Sequence, residues 1–191
     1  MADTTPLTEN METEPKDENM AHPSQTKTVP EVSYKDMRAK LDGAPVMHPR
    51  PTSTNIRAFR NHMQSKLTTI PSLQSSSYGY AGMIEKINIY KLTGEEPWKD
   101  QEDPGNVHLH TDGMLSPVQQ CDKEAKWTGV KATYASQINV HTAIIDALND
   151  AVPEGYKTSG QLIRARVYRA YDCPRTILDN LQMTYGQITP A

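Results

Sequence analysis

The sequence predicts an all-α fold: a helical lobe built around one long central helix, preceded by a disordered N-terminal arm. Three observations carry that expectation. Between Trp127 and Val152 the bulky residues Trp127, Val130, Tyr134, Ile138, His141, Ile145, Leu148 and Val152 recur at steps of three and four, which places them on one side of a helix. Val140, Ile144, Ala147 and Ala151 widen the stripe to about half the cylinder, as a helix with several neighbours requires. Finally, the chain of 191 residues is only 36% hydrophobic with a mean hydropathy of -0.68, so part of it should lie outside any core.

Charge divides the chain in the same sense. Residues 1–31 hold seven acids and two bases, and residues 32–66 hold seven bases and two acids, within a total of only -3. An acidic tail followed by a basic shoulder results. Residues 1–50, with Pro6, Pro15, Pro23, Pro30, Pro45 and Pro49 among many polar residues, read as a disordered arm. Within it, 32–41 offers a transient helix with Val32, Met37 and Leu41 loosely on one side. Residues 51–191 form the expected helical domain.

The first ordered helix should follow a cap at Ser53 or Thr54, with Ile56, Phe59, Met63, Leu67 and Ile70 inward and a stop at Pro71. A second stripe, Tyr80, Met83, Ile84, Ile87 and Tyr90, predicts a helix ending near Gly94, with Gly79 and Gly82 admitting a neighbouring backbone at its start. From Glu95 to Ser116 the pattern gives way to turn chemistry, with Trp98 as the anchor to the core. Ser116-Pro117 then starts a helix, a serine cap with proline at the first position, which either runs into the central helix or breaks near Gly129. Pro153 and Gly155 end the central helix. Residues 162–168 fit a strand by the alternation of Ile163, Ala165 and Val167, and a helix by Ile163, Val167 and Tyr171; helix or irregular structure is the expectation. Asp172 caps a last helix with Pro174 in its first turn, Ile177, Leu178 and Leu181 inward, and Gly186 as its stop. Thr189-Pro190 begins another helix without a body, as in the front part of a longer protein.

No catalytic constellation emerges. There is no Gly-x-Ser-x-Gly elbow, Walker loop or Gly-x-Gly-x-x-Gly, and Thr111-Asp112-Gly113 reads as a turn. His108, His110 and Asp112 lack the second ligand cluster that would fix a metal, and His141 falls on the central apolar face as a core residue. Cys121 and Cys173 stand 52 positions apart, which makes neither a disulfide framework nor a zinc knuckle. No enzymatic role, cofactor or small-molecule substrate is expected. The absence of a membrane span and of an apolar leader points to a cytoplasmic protein without membrane partners. Two basic groups, Arg50, Arg57, Arg60 and Lys66, and Arg164, Arg166, Arg169 and Arg175, are the places where RNA or an interface would be met. Arg57, Arg60, Arg164, Arg166 and Arg169 are the candidate contacts.

Several stretches resemble the Gag (capsid) polyproteins of copia-type LTR retrotransposons. They are residues 54–71 (TNIRAFRNHMQSKLTTIP), 78–92 (YGYAGMIEKINIYKL), 97–105 (PWKDQEDPG), the central helix with 147–157 (ALNDAVPEGYK), and 177–191 (ILDNLQMTYGQITPA). The resemblance spans roughly 52 to 191 and leaves out the arm. It implies an all-helical, capsid-like lobe, truncated at its C-terminal side, whose copies assemble into virus-like particles enclosing the element's RNA. Self-association would be the main partnership and element RNA the second. No catalytic residue carries over. The zinc knuckle, protease, integrase and polymerase segments of such elements are missing. A non-assembling helical RNA-binding module is the alternative, and a cysteine- or metal-dependent enzyme the third reading.

Overall fold

A computed structural model describes residues 31–72, 78–85, 92, 98–106, 115–157 and 173–186. Among these there are helices and turns and no strand, with one long helix at the centre, as the sequence predicts.

The first helix, α1 (Tyr34–Leu41), starts at Ser33, whose hydroxyl accepts the Asp36 N–H at 3.2 Å. Met37 and Leu41, four positions apart and so on one face, are fully buried. This departs from the arm expected to reach residue 50, because residues 31–50 are joined to the core. Three apolar residues suffice when each is completely enclosed, at about 1.5–3 kcal/mol apiece: Met37, Leu41 and Met47 all are.

The next helix, α2 (Ser53–Leu67), is capped one residue earlier than expected. Thr52 and Asn55 form a reciprocal capping box, Asn55 N–H to the Thr52 hydroxyl at 3.3 Å and Thr52 N–H to the Asn55 side chain at 2.7 Å. Ile56, Phe59, Met63 and Leu67 fill its buried face, and Ile70 follows them inside. The chain then returns to the end of α2, where Tyr80 N–H donates to the Leu67 carbonyl at 3.1 Å. Gly79 makes this approach. Its φ is +50°, and a Cβ there would stand 2.2 Å from the Ile70 carbonyl oxygen. At the start of the expected helix, Ala81–Met83 form a single 3₁₀ turn that buries Tyr80, Met83 and Ile84. Ile87, Tyr90 and Gly94 lie outside the described residues.

The central helix, α3 (Pro117–Ala151), is unbroken across Gly129. Ser116 caps it, accepting the Gln119 N–H while the Gln119 side chain accepts the Ser116 N–H, and Pro117 occupies the first turn. Its buried residues are Ser136, Gln137, Val140, Ala143, Ile144, Ile145, Ala147, Leu148 and Ala151. Their centre is the flank that the sequence reading treats as a widening of the stripe. Val130 and Ile138, expected inside, are 44% and 42% exposed. Lys157 of the one-turn helix α4 (Glu154–Lys157) donates to the Asn149 carbonyl at 2.7 Å, closing the end of α3.

The last helix, α5 (Pro174–Tyr185), has Cys173 rather than Asp172 at the cap position, without a side-chain capping bond; Asp172 lies outside the described residues. Ile177, Leu178 and Leu181 are fully buried, as expected. In the assembled core α1 lies along α3, α5 packs on α2 and α3, and the 3₁₀ turn sits on α2. The partners of α1 advance from Ser136 (to Val32 N–H, 3.0 Å) to Asp150 (to Arg38, 2.6 Å), so α1 runs in the same direction as α3.

Candidate functional site

Two features stand out from the packed core: a charged joint between α2, the 3₁₀ turn and α5, and the first half of α3.

The joint is built by arginines that reach the open carbonyls of the turn. Arg60 donates to the Ile84 carbonyl at 2.8 Å and to Asp179 of α5 at 2.6 Å. Arg175 of α5 donates to the Gly82 carbonyl. Gln64, one turn beyond Arg60, donates to Glu85 at 3.0 Å. Glu85 is 5% exposed, and its second carboxylate oxygen has no partner among the described residues. Burial pushes its pKa above the ordinary carboxylate value, against smaller downward pulls from the Gln64 hydrogen bond and from Arg175 and Arg60. The joint fastens three segments of chain together and exposes little of itself.

A loop is fixed to α3 by a buried amide. Gln137 donates to Asp100 at 3.2 Å and accepts the Gln101 N–H at 3.1 Å. Trp98 holds the same loop against Tyr80, with ring centroids 5.5 Å apart, and so performs the anchoring expected of it. His141, on the neighbouring turn of α3, is half-buried rather than fully enclosed. Burial lowers its pKa, with a smaller opposing influence from Asp100.

The first half of α3 differs from the second. No residue from Pro117 to Ala135 is buried. At 1.5 Å per residue the whole helix measures about 52 Å, longer than the roughly 30 Å diameter of a small domain. One end must therefore extend past the core, and it is this one. Trp127, Val130 and Tyr134 form a partly exposed apolar stripe along it that continues to Ile138 beside the core, with the Lys131 ammonium 4.8 Å from the Trp127 ring centroid.

Of the candidate contact residues, Arg57 is exposed on α2, whereas Arg60 is taken up by Asp179 and Ile84. Lys66 is exposed nine positions beyond Arg57, half a turn away around α2, so the two point in opposite directions. The first basic group is thus not a single patch. Arg164, Arg166, Arg169, His108, His110 and Asp112 lie outside the described residues. Among the described residues no group of three His, Cys, Asp or Glu could hold a metal, and no helix is long and apolar enough to cross a membrane. Cys121 is exposed and Cys173 half-exposed, both as free thiols. The sequence reading missed the Arg60–Asp179–Ile84 joint, whose only sequence signal is an arginine within an apolar stripe. Comparison of the chain with protein families, with curated proteins and with solved structures gives no match.

Proposed function

We propose that the chain is a structural, Gag-like capsid protein of a retrotransposon, acting in the cytoplasm without catalytic chemistry. Its copies associate into virus-like particles that enclose the element's RNA. The ordered motifs between residues 54 and 191 motivate this reading, and one structural observation carries it: α3 has no buried residue from Pro117 to Ala135, yet it displays Val130, and Ile138 just beyond that stretch, to solvent. Most helical stability in proteins comes from packing an amphipathic face, so a projecting segment with an apolar stripe is suited to a contact with another molecule. A shell needs only modest contacts of this kind, because many weak joins add up through multivalency.

The alternative, a non-assembling RNA-binding module, draws less support. Arg60 is withdrawn from solvent, and Arg57 and Lys66 diverge. Negative-stain electron microscopy of the purified full chain, with nuclease protection of co-purifying RNA, separates the two. Closed particles holding protected RNA are expected. A protein that stays monomeric while binding RNA with a strong salt dependence would favour the alternative.

A further inference from the structure

We infer that the projecting half of α3 pairs antiparallel with the same segment of a second copy about a two-fold axis passing between Trp127 and Thr128. The inference rests on the self-associating reading above and names the surface that would carry it.

The stripe Trp127, Val130, Tyr134 and Ile138 supplies the apolar part, with Val130 and Ile138 each more than two-fifths exposed. The choice of a second copy comes from the charges beside the stripe. Glu124 and Lys131 are both exposed and stand seven positions apart, two helical turns, so they occupy the same flank. Their midpoint falls between Trp127 and Thr128, which fixes where the two-fold axis must pass for them to meet. An antiparallel two-fold pair about that midpoint sets Glu124 of each copy opposite Lys131 of the other, giving two ion pairs from one self-complementary surface. A parallel pair in register would instead set Glu124 against Glu124 and Lys131 against Lys131. On the other flank Lys123 lies near Val130 of the second copy, where its aliphatic stem can cover the valine while its ammonium remains in water.

The contact is a two-helix one, at the small end of protein interfaces, and is expected to be weak and salt-sensitive. That strength suits a joint repeated many times. No residue of α3 before Ser136 is buried, and although Trp127 is half-buried with its indole N–H enclosed, Glu124, Val130 and Lys131 stand exposed for a contact between copies.

Sedimentation velocity of the full chain across a concentration series tests the pairing, using the natural sequence, E124K, K131E and the double variant E124K/K131E. Both positions are exposed, so far-ultraviolet circular dichroism should stay unchanged in all four. Each single reversal replaces two attractive contacts with two repulsive ones and is expected to weaken association by about tenfold. The double variant exchanges the partners and should return to within about threefold of the natural chain. Loss of the Lys131–Trp127 contact alone cannot produce that rescue. Single variants that associate like the natural chain, or a double variant as weak as the singles, would overturn this pairing while leaving the Gag-like reading in place. A natural chain that is monomeric at every concentration would overturn both.

Discussion

Arg60 and Asp179 are joined at 2.6 Å across α2 and α5, although 119 positions separate them in sequence. The same guanidinium holds the Ile84 carbonyl at 2.8 Å, so a single side chain ties the 3₁₀ turn to both helices. Replacing Arg60 with methionine keeps most of the packing but leaves Asp179 and the carbonyl without their donor. Asp179 is partly solvated, with 38% side-chain exposure, so the cost should not exceed the lower end for a buried ion pair, about 3 kcal/mol. Urea unfolding measures it. A change below about 0.5 kcal/mol would remove the joint from the account.

Glu85 and His141 give opposite pH dependences. Burial raises the Glu85 pKa, so its stabilising contribution is present below the ordinary carboxylate value and is lost as pH rises through the raised one. Glu85→Gln keeps an acceptor for Gln64 and should remove that decline, leaving the variant as stable as the natural chain or more so at neutral pH. His141 is depressed below 6.5 by burial, so its contribution is present above 6.5 and lost as pH falls toward the depressed value. His141→Leu should flatten the acid side of the profile. Thermal unfolding between pH 4.5 and 8 checks both, and variants whose profiles run parallel to the natural one would contradict them.

The two glycines respond in opposite ways to alanine. At Gly79 a Cβ would meet the Ile70 and Leu67 carbonyl oxygens at 2.2 and 2.5 Å with φ at +50°, so Gly79→Ala should cost about 3 kcal/mol or more. Gly129 lies inside α3 with nothing within 4 Å of its Cβ position, so Gly129→Ala should stabilise the chain by up to about 1 kcal/mol. Chemical denaturation of the two variants side by side should shift the midpoint in opposite directions.

Much of the helical frame was legible because it rests on local chemistry. The 3–4 spacing of Ile56, Phe59, Met63 and Leu67, the Ser116-Pro117 cap and the Ile177, Leu178 and Leu181 cluster all appear in the fold as read. The inward face of α3 was misjudged because Ser136 and Gln137 are buried for their hydrogen bonds, to Val32 and to the 98–106 loop, and hydrophobic periodicity cannot register them. Likewise Val130 matches the stripe but lies past the end of the core, and Ile138 matches it but faces outward beside the buried Gln137 and Val140. α1 was obscured because its few apolar residues sit among prolines and charges, and the main surface they bury against, α3, is about a hundred positions away. The joint at Arg60 depends on partners that no local window contains.

That reading of α1 carries its own test. Leu41 is fully enclosed between α1 and the rest of the core, so Leu41→Ala should cost about 2–4 kcal/mol. Were residues 31–50 only an arm, the substitution would be neutral. Equilibrium urea unfolding distinguishes the two.

The proposed capsid function requires that this chain associate with itself. The most direct measurement is the weight-average mass of the purified full chain by sedimentation equilibrium over a wide concentration range. Under the proposed capsid function the mass climbs reversibly above the 21.4 kDa of one copy as concentration rises. A mass fixed at one copy throughout would contradict it.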